Sequence, residues 1–282
     1  RERRLVGEHL VGESHRVVEC LVGERHSVLR RQCRSADQKT LADLRMLADQ
    51  TATLSPTGSE TLDVGGWQVV VTDGHVVLPE GMTHLPDKAF QDRTPLVSVA
   101  FPRSLASIGS SAFEGCSSLS SIDLPAGLTA INNHAFRRCS SLAHVTLQAG
   151  LTSIGDEAFF GCSSLVSIDL PACLTSIGHN AFDGCSALAR VILPAGLTSI
   201  GSHAFEGCTS LVSVDLPASL TSICWRAFAR CSSLTTITLP LPDGLTIGDG
   251  ALSDCHLDDE AKAAVQAINF WAVRPPIDAQ GH

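Results

Sequence analysis

Apolar and polar positions follow one fixed order along most of this chain. In Leu119-Ser-Ser-Ile122-Asp-Leu124-Pro125 the apolar side chains fall at every second place from Ile122 to Leu124. That is the alternation of a short half-buried strand, which proline then stops. Leu128-Thr-Ala-Ile131 and Leu151-Thr-Ser-Ile154 predict a second short extended piece. Gly109, Gly155, Gly178 and Gly201 are expected to turn the chain into a brief helical turn carrying an Ala-Phe pair. Gly115, Gly161, Gly184 and Gly207 are expected to end that turn in the left-handed region.

The Ala-Phe pair sets the period. Phe90, Phe113, Phe136, Phe159, Phe182, Phe205 and Phe228 follow one another at a constant step of 23 residues. Three residues after each Phe stands a Cys (Cys116, Cys139, Cys162, Cys185, Cys208, Cys231), except in the first copy, which has Arg93. An eighth, degenerate copy follows a one-residue insertion, with Leu252 and Cys255 at the two places. Such self-similarity predicts a solenoid in which one unit is one coil. A single coil cannot bury its apolar face, so stacking on neighbours supplies the stability.

The full pattern, Leu-x-x-Ile-x-Leu-Pro-x-Gly-Leu-Thr-x-Ile-Gly-x-x-Ala-Phe-x-Gly-Cys-Ser-Ser, resembles the BspA-like subgroup of leucine-rich repeat proteins over roughly residues 76 to 255. The resemblance implies an α/β fold: a right-handed leucine-rich-repeat solenoid with a parallel β-sheet on its concave face and short helical turns on its convex face. It also implies a recognition surface, the use such solenoids have in adhesins, receptors and scaffolds.

The flanks divide the chain further. Residues 1–34 are an Arg/Glu-rich, low-complexity extension expected to lack fixed structure, with eight Arg against five Glu. Residues 35–66 are read as a short helix and linker, with Leu41, Leu44, Leu47 and Ala48 at helical spacing behind Ser35. Residues 67–255 form the solenoid, opened by a hairpin of Trp67–Val71 and His75–Leu78 around Thr-Asp-Gly, whose first strand covers the end of the stack. Residues 256–282 give a capping helix, acidic in its first turn and ended by Pro275 and Pro276, and a polar tail.

Composition narrows the function. A net charge of -9 argues against nucleic acid as principal partner, and no apolar run approaches the ~18 residues of a transmembrane helix. The chain begins at Arg1 and its first Met is Met46, so a fragment, a processed product or an incomplete gene model is expected. Seven of the eleven Cys share one place in the coil, which reads as a buried column of small thiols and favours a reducing compartment. No Gly-x-Ser-x-Gly, His-Glu-x-x-His, phosphate-loop or Cys-x-x-Cys motif occurs, so no catalytic residue, cofactor or metal site is assigned.

Candidate binding residues are those that break the repetition. On either side of the strand Ile, one outward column runs Ser98, Ser121, His144, Ser167, Arg190, Ser213, Thr236, and the other Ala100, Asp123, Thr146, Asp169, Ile192, Asp215, Thr238. His144 and Arg190 interrupt the small residues of the first. Asp123, Asp169 and Asp215 recur in every second coil, about 10 Å apart, too far to share a metal ion. Trp225 stands where other copies have Ser, Asn, Asp or His, and Arg226 follows it; Trp and Arg are enriched in interface hot spots. These seven residues point to a non-enzymatic module for a protein or glycan partner. The competing expectation is a structural or adhesin-type rod without a specific ligand, and a fragment of a larger enzyme or receptor is the third.

Overall fold

The computed structural model describes residues 59–273, with side chains through Ile268. The extension of residues 1–34, the helix expected behind Ser35, and Pro275, Pro276 and the tail lie outside the described residues. What is described is a parallel β-solenoid of eight turns followed by one helix.

The N-terminal end is a four-stranded sheet of β1 (Ser59–Val64), β2 (Trp67–Thr72), β3 (His75–Val77) and β5 (Ser98–Ala100). β1 to β3 run antiparallel, and β3 then pairs with β5 in parallel, setting His75 against Ser98 and Val76 against Val99. β1 falls where the sequence predicted linker. Its alternation is weak, but Leu62 and Val64 face the core and all six residues pair with β2.

Each coil contributes two strands. The upper set continues from β5 through β7 (Ser121–Asp123), β9 (His144–Thr146), β11 (Ser167–Asp169), β13 (Arg190–Ile192), β15 (Ser213–Val214) and β17 (Thr236–Ile237). The second set, one Ser-Ile or equivalent pair per coil, forms a parallel sheet of eight strands from β4 (His84–Leu85) to β18 (Thr246–Ile247). Registers such as Ser153 against Ser176 and Ile154 against Ile177 repeat the 23-residue step, so like residues stack on like.

The core is a set of columns. Phenylalanine rings from Phe90 to Phe228 lie 5.1 to 5.4 Å apart and within 11° of parallel. Each cysteine thiol donates to the carbonyl of the Phe one coil back: Cys116 to Phe90 at 3.0 Å, Cys139 to Phe113 at 3.1 Å, Cys162 to Phe136 at 3.2 Å. A small apolar body with a weak donor suits a place with no room for water and an acceptor overhead. Burial raises the Cys116 thiol to about 12 and lifts Cys139 and Cys162 well above their usual range, so these three stay protonated donors.

The Ala-Phe segments are tight turns closed by i to i+3 bonds, such as Cys116 N–H to the Phe113 carbonyl. Two residues per turn are left-handed. Gly115, Gly161, Gly184 and Gly207 take φ of 70 to 74°, as expected; Lys88, Ser111, His134, Glu157, Asn180, His203 and Arg226 are left-handed without being glycine. Each of these seven gives its N–H to a carbonyl of the next coil, as Glu157 does to His179, and that bond offsets the strain. Gly178 has a different task from the turn expected of it. A Cβ there would meet the Gly155 carbonyl carbon at 2.6 Å, so its column allows the coils to approach.

At the C-terminal end α1 (Asp259–Val273) begins with Asp258, whose carboxylate accepts the Ala261 N–H at 2.8 Å. Leu257 and Ala261 are buried, and Val265 and Ile268 pack on the last coil. Among the described residues no helix is long and apolar enough to cross a membrane.

Candidate functional site

The two outward columns of the upper strands lie side by side because strand side chains alternate between faces. Strand pairing joins Ser121 to His144, Ser167 to Arg190 and Ser213 to Thr236 in one row, and Asp123 to Thr146 and Asp169 to Ile192 in the next. His144, Arg190, Asp123 and Asp169 are all exposed, and so is Asp215.

The three aspartates are not equivalent. Thr146 donates its hydroxyl to Asp123 at 2.6 Å, and Thr238 donates to Asp215 at 2.7 Å. The residue one coil beyond Asp169 is Ile192, which has no donor to give. Asp169 is therefore the one of the three aspartates without a threonine partner, a distinction the sequence carried in the Thr, Ile and Thr that follow them one coil on.

Arg190 lies on the neighbouring strand. Among the described residues it makes no ion pair. Around it the face turns apolar: Ile192 is 42% exposed, Val166 47% and Val212 51%. The backbone places Val166 one coil before Ala189 and Arg190, and Val212 one coil after. The result is a guanidinium and a carboxylate, each without a charged partner among the described residues, close to three exposed aliphatic side chains. Sequence reasoning found the charges and missed Val166 and Val212, which stand just before the strand residues and break a column of small side chains.

His144 sits two coils away, across from Ser121, with the polar Asp123 and Thr146 beside it. The structure does not join it to the Arg190 cluster.

Trp225 and Arg226 occupy the turn edge of the seventh coil. The Trp225 ring, half exposed, meets His203 of the preceding coil edge-on at 4.5 Å, and the Arg226 guanidinium lies 5.3 Å from the indole centre. The aromatic neighbour of the indole is thus in the sixth coil. His203 hydrogen-bonds Glu206, which also draws Arg230 at 3.5 Å and Arg226 at 3.9 Å. Beside them burial, and then the negative charge of Glu206, raise Asp183 to about 6. Further along this edge Arg137 pairs with Glu114 at 2.8 Å and with Glu157 at 2.7 Å and lies 5.0 Å over Phe160. Burial raises the Glu114 carboxyl, but hydrogen bonds from Arg137 and Ser111 outweigh it and hold the group below its usual range.

His179 and His203, on adjacent coils but one place out of register, face different partners: His179 accepts the Ser202 N–H at 3.0 Å, whereas His203 holds Glu206. Among the described residues no three His, Cys, Asp or Glu side chains gather as metal ligands.

Comparison with known proteins agrees with this architecture. The family profile of the BspA type leucine rich repeat region matches residues 74–172 and 152–265. The chain is similar to the T. pallidum leucine rich repeat protein (TpLRR), with 32% identity over 69% of this chain and 82% of that chain and a TM-score of 0.57. It is also similar to a leucine-rich repeat protein from Bacteroides ovatus ATCC 8483, with 29% identity over 64% of this chain and 58% of that one and a TM-score of 0.42. Among curated proteins none matches.

Proposed function

The chain belongs to the BspA-type leucine-rich repeat proteins, and from that membership we propose that it is a non-enzymatic interaction module whose docking site is the strand face at β11, β13 and β15. One observation carries the reading: Arg190, lacking an ion pair, stands among exposed Val166, Ile192 and Val212 with Asp169 on the next strand. An arginine within exposed aliphatic surface has the composition of an interface core, where charged residues other than Arg are depleted. The partner it suits is a protein segment with apolar side chains and a carboxylate for Arg190. Asp123 and Asp215, already bonded to threonine, have less to offer a partner than Asp169.

Trp225 and Arg226 support a second contact at the turn edge, since a half-exposed indole beside a cation has two ways to bind. His144 contributes at most at the margin of the first site.

The test is quantitative capture of partners from the source organism's proteins by the wild-type chain, Arg190→Glu with Ile192→Asp, and Trp225→Ala. The strand-face reading expects a saturable partner that the double variant loses. A partner retained by the double variant but lost with Trp225→Ala moves the site to the turn edge. Equal capture by all three chains, or none by the wild type, leaves a rod without a specific ligand.

A further inference from the structure

Arg190 and Asp169 stand diagonally on adjacent strands. β11 pairs with β13 so that Ser167 lies across from Arg190 and Asp169 across from Ile192. Two residues along a strand span about 6.6 Å and neighbouring strands lie about 4.8 Å apart, so the backbones of the two charged residues are about 8 Å apart. Neither makes an ion pair among the described residues. Asp123 and Asp215, in the same column as Asp169, accept hydroxyls from Thr146 and Thr238, whereas Ile192 gives Asp169 none.

Ile192, 42% exposed, occupies the corner between the two charges, two residues along from Arg190 and directly across from Asp169. The residues before and after Arg190 in its column, Ser167 and Ser213, are small, so the arginine rises above them. Covering this patch with an apolar surface alone would strip water from both charges and leave each unpaired, which is costly in a desolvated contact. A matching surface must offer a carboxylate to Arg190, a cation to Asp169 and an apolar side chain between the two. The patch itself offers that set. A two-fold rotation about an axis in the contact plane, passing between Arg190 and Asp169, sets the arginine of each copy over the aspartate of the other. The same rotation brings the two Ile192 side chains together beside the axis, so one set of contacts is made twice, as an isologous interface requires.

We propose, resting on the docking face proposed for β11, β13 and β15, that its partner is a second copy of this chain, held by two reciprocal Arg190–Asp169 pairs around Ile192. The net charge of -9 opposes the approach of two copies at long range. At about 0.15 M salt that repulsion is screened beyond about 8 Å, while charges brought into contact are screened much less.

The experiment is sedimentation velocity of the full chain in physiological salt. A patch three strands wide falls below the roughly 1,200 Å² of a standard stable interface, so the concentration is raised from about 10 µM to about 1 mM. The wild type is expected to pass reversibly from monomer to dimer within that range. Arg190→Asp and Asp169→Arg, each alone, set like charges against each other twice and should weaken dimerisation at least about tenfold. Mixed in equal amounts, the two variants should form a dimer as tight as the wild type's, because every reversed residue then faces the opposite charge. Both changes are at exposed side chains, and circular dichroism verifies the fold of each variant. A wild type that stays monomeric throughout, a dimer that neither reversal weakens, or reversed chains that do not pair on mixing would each overturn the second copy as occupant. If a monomeric wild type still captures a partner that Arg190→Glu with Ile192→Asp loses, the docking face stands and only its occupant is wrong; if it captures none, the face falls with it.

Discussion

Inside the solenoid every coil from the second to the seventh presents the same Phe, Cys and Leu, whereas on the strand face the same coils present Ser, His, Arg, Asp, Thr or Ile at equivalent places. An interior residue is held by its own counterparts above and below: Phe159 lies between Phe136 and Phe182, and the Cys162 thiol bonds the carbonyl of Phe136. A change there must suit two copies of itself. A side chain on the strand face meets solvent on one side, so it is free to vary, and Arg190 shows that freedom spent on a charge among exposed aliphatic groups. Stability is therefore concentrated in the columns, and the proposed docking site lies where the face departs from its neighbours.

The sharpest way to break this division is to remove a ring. Phe159→Ala should lower unfolding stability by about 3 to 5 kcal/mol in urea denaturation, because close packing on both sides prevents collapse of the void. Phe90→Ala should cost less, since that ring stacks on a second ring on one side only. A larger loss at Phe90 would mean that the end of the column carries the fold.

A smaller effect tests the thiols. Cys162→Ala should cost about 1 to 2 kcal/mol, from the lost bond to the Phe136 carbonyl and the lost volume. A neutral result in the same denaturation assay would reduce the cysteine column to space filling.

The turn edge lies between the two regimes, and pH separates it from both. Asp183, raised to about 6 from an ordinary 3.8 by burial and then by Glu206, is more easily protonated folded than unfolded. Its contribution to stability is complete below the ordinary value and is lost as pH rises through about 6. Asp183→Asn should thus stabilise the chain at pH 7 by on the order of 1 kcal/mol, discounted for solvent screening, and the gain should shrink toward pH 4. A gain independent of pH would remove the carboxyl from the account.

The least effect is expected on the strand face itself. Ser167→Ala and Arg190→Ala should each alter stability by no more than about 0.5 kcal/mol, while only the arginine change reduces partner capture. A stability loss at Arg190 comparable with that at Phe159 would make it a structural residue.

Much of this arrangement was legible before any coordinates. Phe, Cys and Leu at fixed offsets gave the stacking, and the glycines of the turn announced one of its two left-handed residues. The other, at Ser111, His134, Glu157 or His203, carries no glycine, so local residue preference does not register it; like the glycine, it gives its N–H to a carbonyl of the next coil. β1 was hidden for a similar reason: Ser-Glu-Thr-Leu-Asp-Val is a strand by virtue of its pairing with β2 and its Leu62 and Val64 against the end of the core. At the candidate site Arg190 and Trp225 stood out as departures from the repeat, and Asp169 only as one of three recurring aspartates. Which aspartate lacked a hydroxyl partner, and which aromatic neighbour Trp225 had, required knowing what faces each across a coil boundary.

A strict period of 23 residues determined by itself that like would stack on like, because an unbroken step keeps every apolar side chain over its counterpart and no other register buries them all. The tertiary structure alone decided that β1 joins the end of the stack and how the surface charges pair. Those depend on distances between residues far apart in sequence, such as the reach of Arg93 to Glu60 across 33 positions, and repetition along the chain is silent about them.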